Sequence, residues 1–299
     1  MPCQTAALID AINMANASPD SNLLTLASGC AYTLTEPQPG TVTGLPRITS
    51  PIAFNGLTGG GNVTITRSIA PNTPEFRIVE ITSSGSLADF GVTISNGAVS
   101  DRVPSDGHSG GGILVREGGS LALVRARVTG NTGFAGGIHN FGRATLDNTT
   151  VDGNIGVLGG GINNEAEGTI NIFGGSILSG NQVQSHTETP TISAQGGGIF
   201  NAGEAMIGPA TIENNQALRS SSTAPMAIGG GISNDGTENP DAHIFFQTGA
   251  VVKGNSSADR PGGINNSALI FNLGTAALIQ GNTPTNCAGS PNPVPECVG

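Results

Sequence analysis

Hydrophobic positions along the 299-residue chain recur in a shared register. Gly-Gly-Ile appears six times, ending on Ile113, Ile138, Ile162, Ile199, Ile232 and Ile264, at intervals of 25, 24, 37, 33 and 32 residues. Two residues after the isoleucine stands an asparagine in five successive units: Asn140, Asn164, Asn201, Asn234 and Asn266. The first unit carries Val115 instead. A second motif, an apolar residue, any residue, then Gly-Asn, ends on Asn131, Asn154, Asn181, Asn255 and Asn282, with Asn215 as a variant preceded by Asn214. Runs such as Leu121–Val124 and Thr169–Phe173 alternate with the period-two pattern of strands.

A unit of 24 residues holds three short strands and three turns, the size of one solenoid coil. A propeller blade needs about 40–50 residues, and the framework of a leucine-rich repeat is missing. Stacked coils would lie about 4.8 Å apart, as strands do in a parallel sheet. The isoleucines then predict an apolar ladder in the core. The five asparagines predict a structural amide ladder, each side chain donating to the next coil. The paired glycines predict tight turns with positive φ. Thr5–Ala17, with Leu8, Ile12 and Ala15 on one face, reads as a helix covering the open end. Six runs, Leu23–Leu26, Tyr32–Thr35, Ile48–Phe54, Val63–Thr66, Phe76–Ile81 and Leu87–Ile94, predict about three less regular coils before the motif begins. The expected fold is all-β: a single-stranded right-handed parallel β-helix of the pectate-lyase-like type, with about nine coils and an N-terminal α-helical cap. Handedness follows the general preference of β-crossovers. We expect one domain over 1–299, with a helical cap at 1–22, coils over 23–282 and a C-terminal cap at 283–299. The insertions Gln184–Gln195 and Arg219–Ala227 read as surface loops.

Composition narrows the partners. With 47 glycines, a helical bundle is excluded, since each costs about 1 kcal/mol in a helix interior. Only 11 Lys and Arg face 21 Asp and Glu, so a nucleic-acid footprint is missing. No apolar run reaches the roughly 18 residues that would argue membrane insertion. The four cysteines sit at the two ends, and Cys3–Cys30 with Cys287–Cys297 is the simplest pairing. Disulfides imply an oxidising compartment, so the chain reads as a mature secreted or cell-surface domain with an added start methionine. A monomer without cofactors is expected.

The Gly-Gly-Ile repeat with its downstream Asn motif resembles the repeats of chlamydial polymorphic outer membrane proteins. It is more similar still to stand-alone secreted bacterial right-handed parallel β-helix proteins, whose N-termini look like Ala6–Asn13 and whose ends look like Gly281–Cys287. The resemblance implies an extracellular β-helix, with adhesion as the role of the chlamydial group. This chain departs from that pattern in lacking the Phe of the Asn motif and a following autotransporter barrel.

Sites of chemistry are sparse. Arg125, Arg127, His139 and Arg143 form the one basic cluster that neighbouring coils bring together, a candidate anion grip or lyase centre. The competing reading pairs Arg143 with Glu167 across coils. His108 reads as a loop histidine. Asp235, Thr237, Asn239 and Asp241 alternate oxygen side chains and are weak calcium candidates that miss the EF-hand spacing. Thr33/Thr35, Thr41/Thr43 and Thr64/Thr66 hint at a flat ice-binding face. The favoured reading is a binding or adhesive scaffold for an unknown surface ligand, protein or polysaccharide. A polysaccharide lyase or related carbohydrate-active enzyme is the main alternative, and an ice-binding protein the minor one.

Overall fold

A computed structural model describes residues 1–99, 110–186, 192–237 and 239–299. Within them the chain forms the parallel β-helix that the repeats foretell. The first sheet has nine strands, from Asn22–Thr25 to Leu269–Leu273. The second also has nine, from Ala31–Leu34 to Leu278–Gln280. A third has seven, from Val79–Ile81 to Ile264–Asn266. Neighbouring strands lie one coil apart in sequence, so nine coils stack along one axis.

Side-chain alternation sorts each wall into an inner and an outer face. Ile52, Leu87, Leu121, Ala144, Ile170, Ala205, Ile244 and Ile270 follow one another in register down the first sheet and are buried. In the third sheet the six motif isoleucines stack behind Val79, all fully buried. Burying one such side chain contributes about 1.5–3 kcal/mol, so the repeat is the principal source of core energy.

The asparagines behave as predicted. Asn140 donates to Asn164 at 2.7 Å, Asn164 to Asn201 and Asn201 to Asn234 at 2.8 Å, and Asn234 to Asn266 at 2.9 Å. The second motif builds another ladder: Asn131, Asn154, Asn181, Asn215, Asn255 and Asn282 each donate to the next, and Asn282 to Asn286, at 2.9–3.0 Å. Each amide from Asn131 on also reaches a carbonyl of an earlier coil, as Asn154 does Val128 at 3.0 Å. These buried polar groups are therefore paired along the axis rather than left as costly orphans.

The motif glycines serve close approach rather than positive φ. A Cβ at Gly161 would sit 2.7 Å from the Gly198 carbonyl oxygen in the next coil. Positive φ belongs to the residue before the pair, at Gly159, Gly196 and Gly229.

Helix α1, Thr5–Asn16, buries Leu8, Ile12 and Ala15 against the first coils. Its end is tied down by Asn16, which donates to the Arg47 carbonyl at 2.7 Å and accepts from the Thr49 N–H at 2.9 Å. Disulfides Cys3–Cys30 and Cys287–Cys297 join residues 27 and 10 apart in sequence at the two ends. Replacing Cys3 and Cys30 together by serine is expected to cost about 3 kcal/mol, the loop-closure value. Calorimetry showing an unchanged melting temperature would refute that. The two long insertions are less loop-like than expected. Gln182–Ser185 and Gln216–Arg219 pair within a small fourth sheet, and Ala194–Gln195 pairs with Ala227–Ile228. Val183, Ala194, Ala217 and Ala227 form a second small core there, which is why these polar stretches fold back instead of projecting.

Candidate functional site

The third wall differs from the other two. Its outer positions Glu80, Leu114, His139, Asn163, Phe200, Ser233 and Asn265 are all buried, at most 7% exposed. A sheet face solvated by design would expose them, as the other walls expose Arg127, Arg143 and Phe271. A cleft of about 280 Å³ opens in this covered wall, lined in part by Phe134, Glu165, Gln195, Phe200, Ala202 and Asp235.

Local folding sets these residues in file. Each third-sheet strand ends on its ladder asparagine, and the next residue's N–H bonds to the ladder asparagine's carbonyl one coil back. Glu165 does so to Asn140 at 2.9 Å, Ala202 to Asn164 and Asp235 to Asn201 at 2.8 Å. Glu165 and Asp235 thus hold equivalent places two coils apart, with the small Ala202 between them.

His139 lies behind Glu165. Its ring sits 4.4 Å from Phe141 and 6.4 Å from Phe134, centroid to centroid. Its Nε2 is 2.5 Å from Glu165 Oε1, which also accepts from Asn163 Nδ2 at 3.0 Å. Two side-chain N–H groups therefore converge on one carboxylate oxygen. His139 Nδ1 and Asn163 Oδ1 are buried without a hydrogen-bond partner. Asp235 Oδ1 accepts from the Thr237 N–H at 2.8 Å and from the Ser267 hydroxyl at 3.3 Å. Gln195 Oε1 accepts from the Ser233 hydroxyl at 2.9 Å.

The arginine cluster does not assemble. Arg125 occupies a turn with φ 53°. Arg127 stands on the second sheet and binds Asp152 through two bonds of 2.8 and 2.6 Å, which raise its already high pKa. Arg143 stands on the first sheet beside Thr169 and Ser120, and His139 on the third. The turn before Thr169 is two residues longer than the one before Arg143, so Glu167 is out of register with Arg143. Asn239 is committed to its loop, donating to the Ala202 carbonyl at 3.0 Å and accepting from the Asp241 N–H at 3.1 Å. Asp241 lines a separate small pocket with Glu167, Glu204 and His243. Among the described residues, no group of three or more His, Cys, Asp or Glu side chains is placed to hold a metal. His108 lies outside the described residues. Thr33 and Thr66 are neighbours on the second sheet, whereas Thr43 is buried against Glu80.

Glu80 anchors the N-terminal end of this wall. Burial alone would raise its pKa, but Arg77, Arg116 and Arg47, with the Thr43 hydroxyl at 3.1 Å, hold it below the usual value. Arg47 and Arg116 each approach to 3.2 Å. Burial pushes the Arg77 guanidinium down to about 10.

No protein-family model matches the chain, and no curated protein matches it. Among solved structures it is similar to alginate lyase from Paenibacillus sp. str. FPU-7, at 11% identity and a TM-score of 0.41, covering 93% of this chain and 95% of that one.

Proposed function

We propose that the protein is a rigid β-helix scaffold that binds a neutral saccharide chain in the cleft of its third wall, outside the cell or at its surface. The observation that carries this reading is the cleft itself: an aromatic floor with acid and amide side chains around it, set in a wall whose outer positions are otherwise covered. Apolar faces with a few placed polar groups are the usual build of a ligand site. Two carboxylates and no Lys or Arg line it, and the chain carries a net charge of −10, so an anionic uronate chain would be repelled. The two disulfides fit an oxidising environment. No helix is long and apolar enough to cross a membrane among the described residues.

Isothermal titration against neutral and uronate polysaccharides tests the reading. Binding to a neutral chain is expected, weakened about tenfold by Phe200→Leu, which removes the aromatic face but keeps the apolar volume. Silence across both panels would refute it. Unsaturated products from a uronate chain would install a lyase in its place.

A further inference from the structure

Glu165 and Asp235 face one cleft from matching positions, and their spacing is set by the coil repeat. Two coils span about 9.5 Å at the strand spacing of a parallel sheet. That falls at the upper end of the carboxylate separation, about 6.5–9.5 Å, that leaves room for a water beside a glycosidic bond. The short Ala202 between them keeps the space open, and Phe200 forms its floor. A second, independent observation points to a ligand here. The His139 ring nitrogen Nδ1 and the Asn163 Oδ1, both on side chains at least 98% buried, lack any hydrogen-bond partner directly behind Glu165. Buried acceptors in that state are uncommon in a finished core and are found where a site awaits its occupant.

We propose that Glu165 and Asp235 are the catalytic pair of an inverting glycoside hydrolase acting on the neutral chain bound in this cleft, an inference that rests on the saccharide-binding reading above. The hydrogen bonds divide the roles. Glu165 Oε1 is held by two side-chain N–H donors, from His139 and Asn163, which favour the carboxylate and hence the base. Asp235 meets a hydroxyl, Ser267, that can rotate from donor to acceptor and so tolerates a proton on the acid. In the step, a water oxygen bonds to the anomeric carbon while the bond to the leaving glycosidic oxygen breaks. Glu165 takes the water proton, and Asp235 gives its own to the leaving oxygen. The products are an alcohol and a hemiacetal of inverted configuration. Exchange with solvent returns both carboxyl groups to their starting states. His139 is a positioning residue, since it touches Glu165 rather than the reacting atoms.

The full chain is incubated with soluble β-glucan, mannan, xylan and starch, following new reducing ends and, by proton NMR, the first anomer formed. Inverted product is expected from the polymer that binds. Glu165→Gln and Asp235→Asn should each lose about 100-fold or more in rate, the scale of general acid–base catalysis, with binding by calorimetry retained. Binding without any cleavage, product of retained configuration, or full rates in both variants would overturn this inference and leave the binding reading standing. Absence of binding to all four polymers would overturn both.

Discussion

Asn201→Leu is expected to lower the melting temperature by roughly 10 °C. The Asn201 amide donates to Asn234 Oδ1 at 2.8 Å and to the carbonyls of Gly203 and His243 at 3.1 and 3.2 Å. Leucine leaves those three buried acceptors without that donor, at about 1–3 kcal/mol each. The Asn164 amide also loses an acceptor but keeps the Gly168 and Glu204 carbonyls. A loss near 4–5 kcal/mol, at about 2 °C per kcal/mol for a chain of this size, gives the expected shift. Asn171→Leu, on the outer face of the first sheet, should melt close to the wild type. If the two variants melt alike, the interior ladder does not hold the coils together.

The second large effect concerns Asp89. It points into the core of the first sheet, in register between Phe54 and Leu123. One oxygen accepts from the Val92 N–H at 3.0 Å, and the other is buried without a partner. Burial, opposed by that one bond, pushes its pKa from 3.8 up to about 8. The folded chain therefore holds a proton that the unfolded chain has released. Stability is fully present below about pH 4 and falls as pH rises, by up to about 1.4 kcal/mol per unit, until the folded carboxyl ionises near pH 8. Glu80 works in the opposite sense. Its lowered pKa stabilises the fold above its unfolded value, and that contribution is lost as pH falls through the folded one, on the acid side of the Asp89 window. Asp89→Asn removes the ionisation and should leave the protein several kcal/mol more stable than wild type at about pH 8, with little difference at about pH 4. Urea unfolding at both pH values, showing parallel changes in the two proteins, would defeat this account.

The architecture was legible because coil-to-coil contacts repeat in the chain as well as in space. An isoleucine stacked on an isoleucine leaves the same letter at the same phase, so the core and one amide ladder could be read directly. The second ladder was equally visible in the Gly-Asn motif, including the Asn214–Asn215 variant, but a polar residue after glycine reads first as a turn. The candidate site was harder. Glu165 and Asp235 are 70 residues apart in sequence, and only the register, which makes each the residue after a ladder asparagine, brings them together. The signal was there in Asn164-Glu165 and Asn234-Asp235. Proximity in sequence favoured Arg125, Arg127 and Arg143 instead, and in a coil with three walls, close neighbours in sequence face different directions.

Both ladders run one way. Every amide shows its oxygen to the preceding coil and its hydrogens to the following one, so the side-chain dipoles add head to tail along the axis instead of cancelling. The rod consequently has a sense, like an arrow, and its two ends have different electrical needs. At the start, Asn131 Oδ1 takes the Gly97 N–H, while Asn140 Oδ1 is left unfilled because Val115 precedes it. At the finish, loose hydrogens must meet oxygens: Asn266 gives to the Pro293 carbonyl and Asn286 to that of Val298, both at 2.8 Å. The disulfide-closed tail is thus a terminator for two proton-donor wires. Coils could be added to or removed from the middle of such a rod in whole units without disturbing either end, which gives the lineage a simple way to change its length.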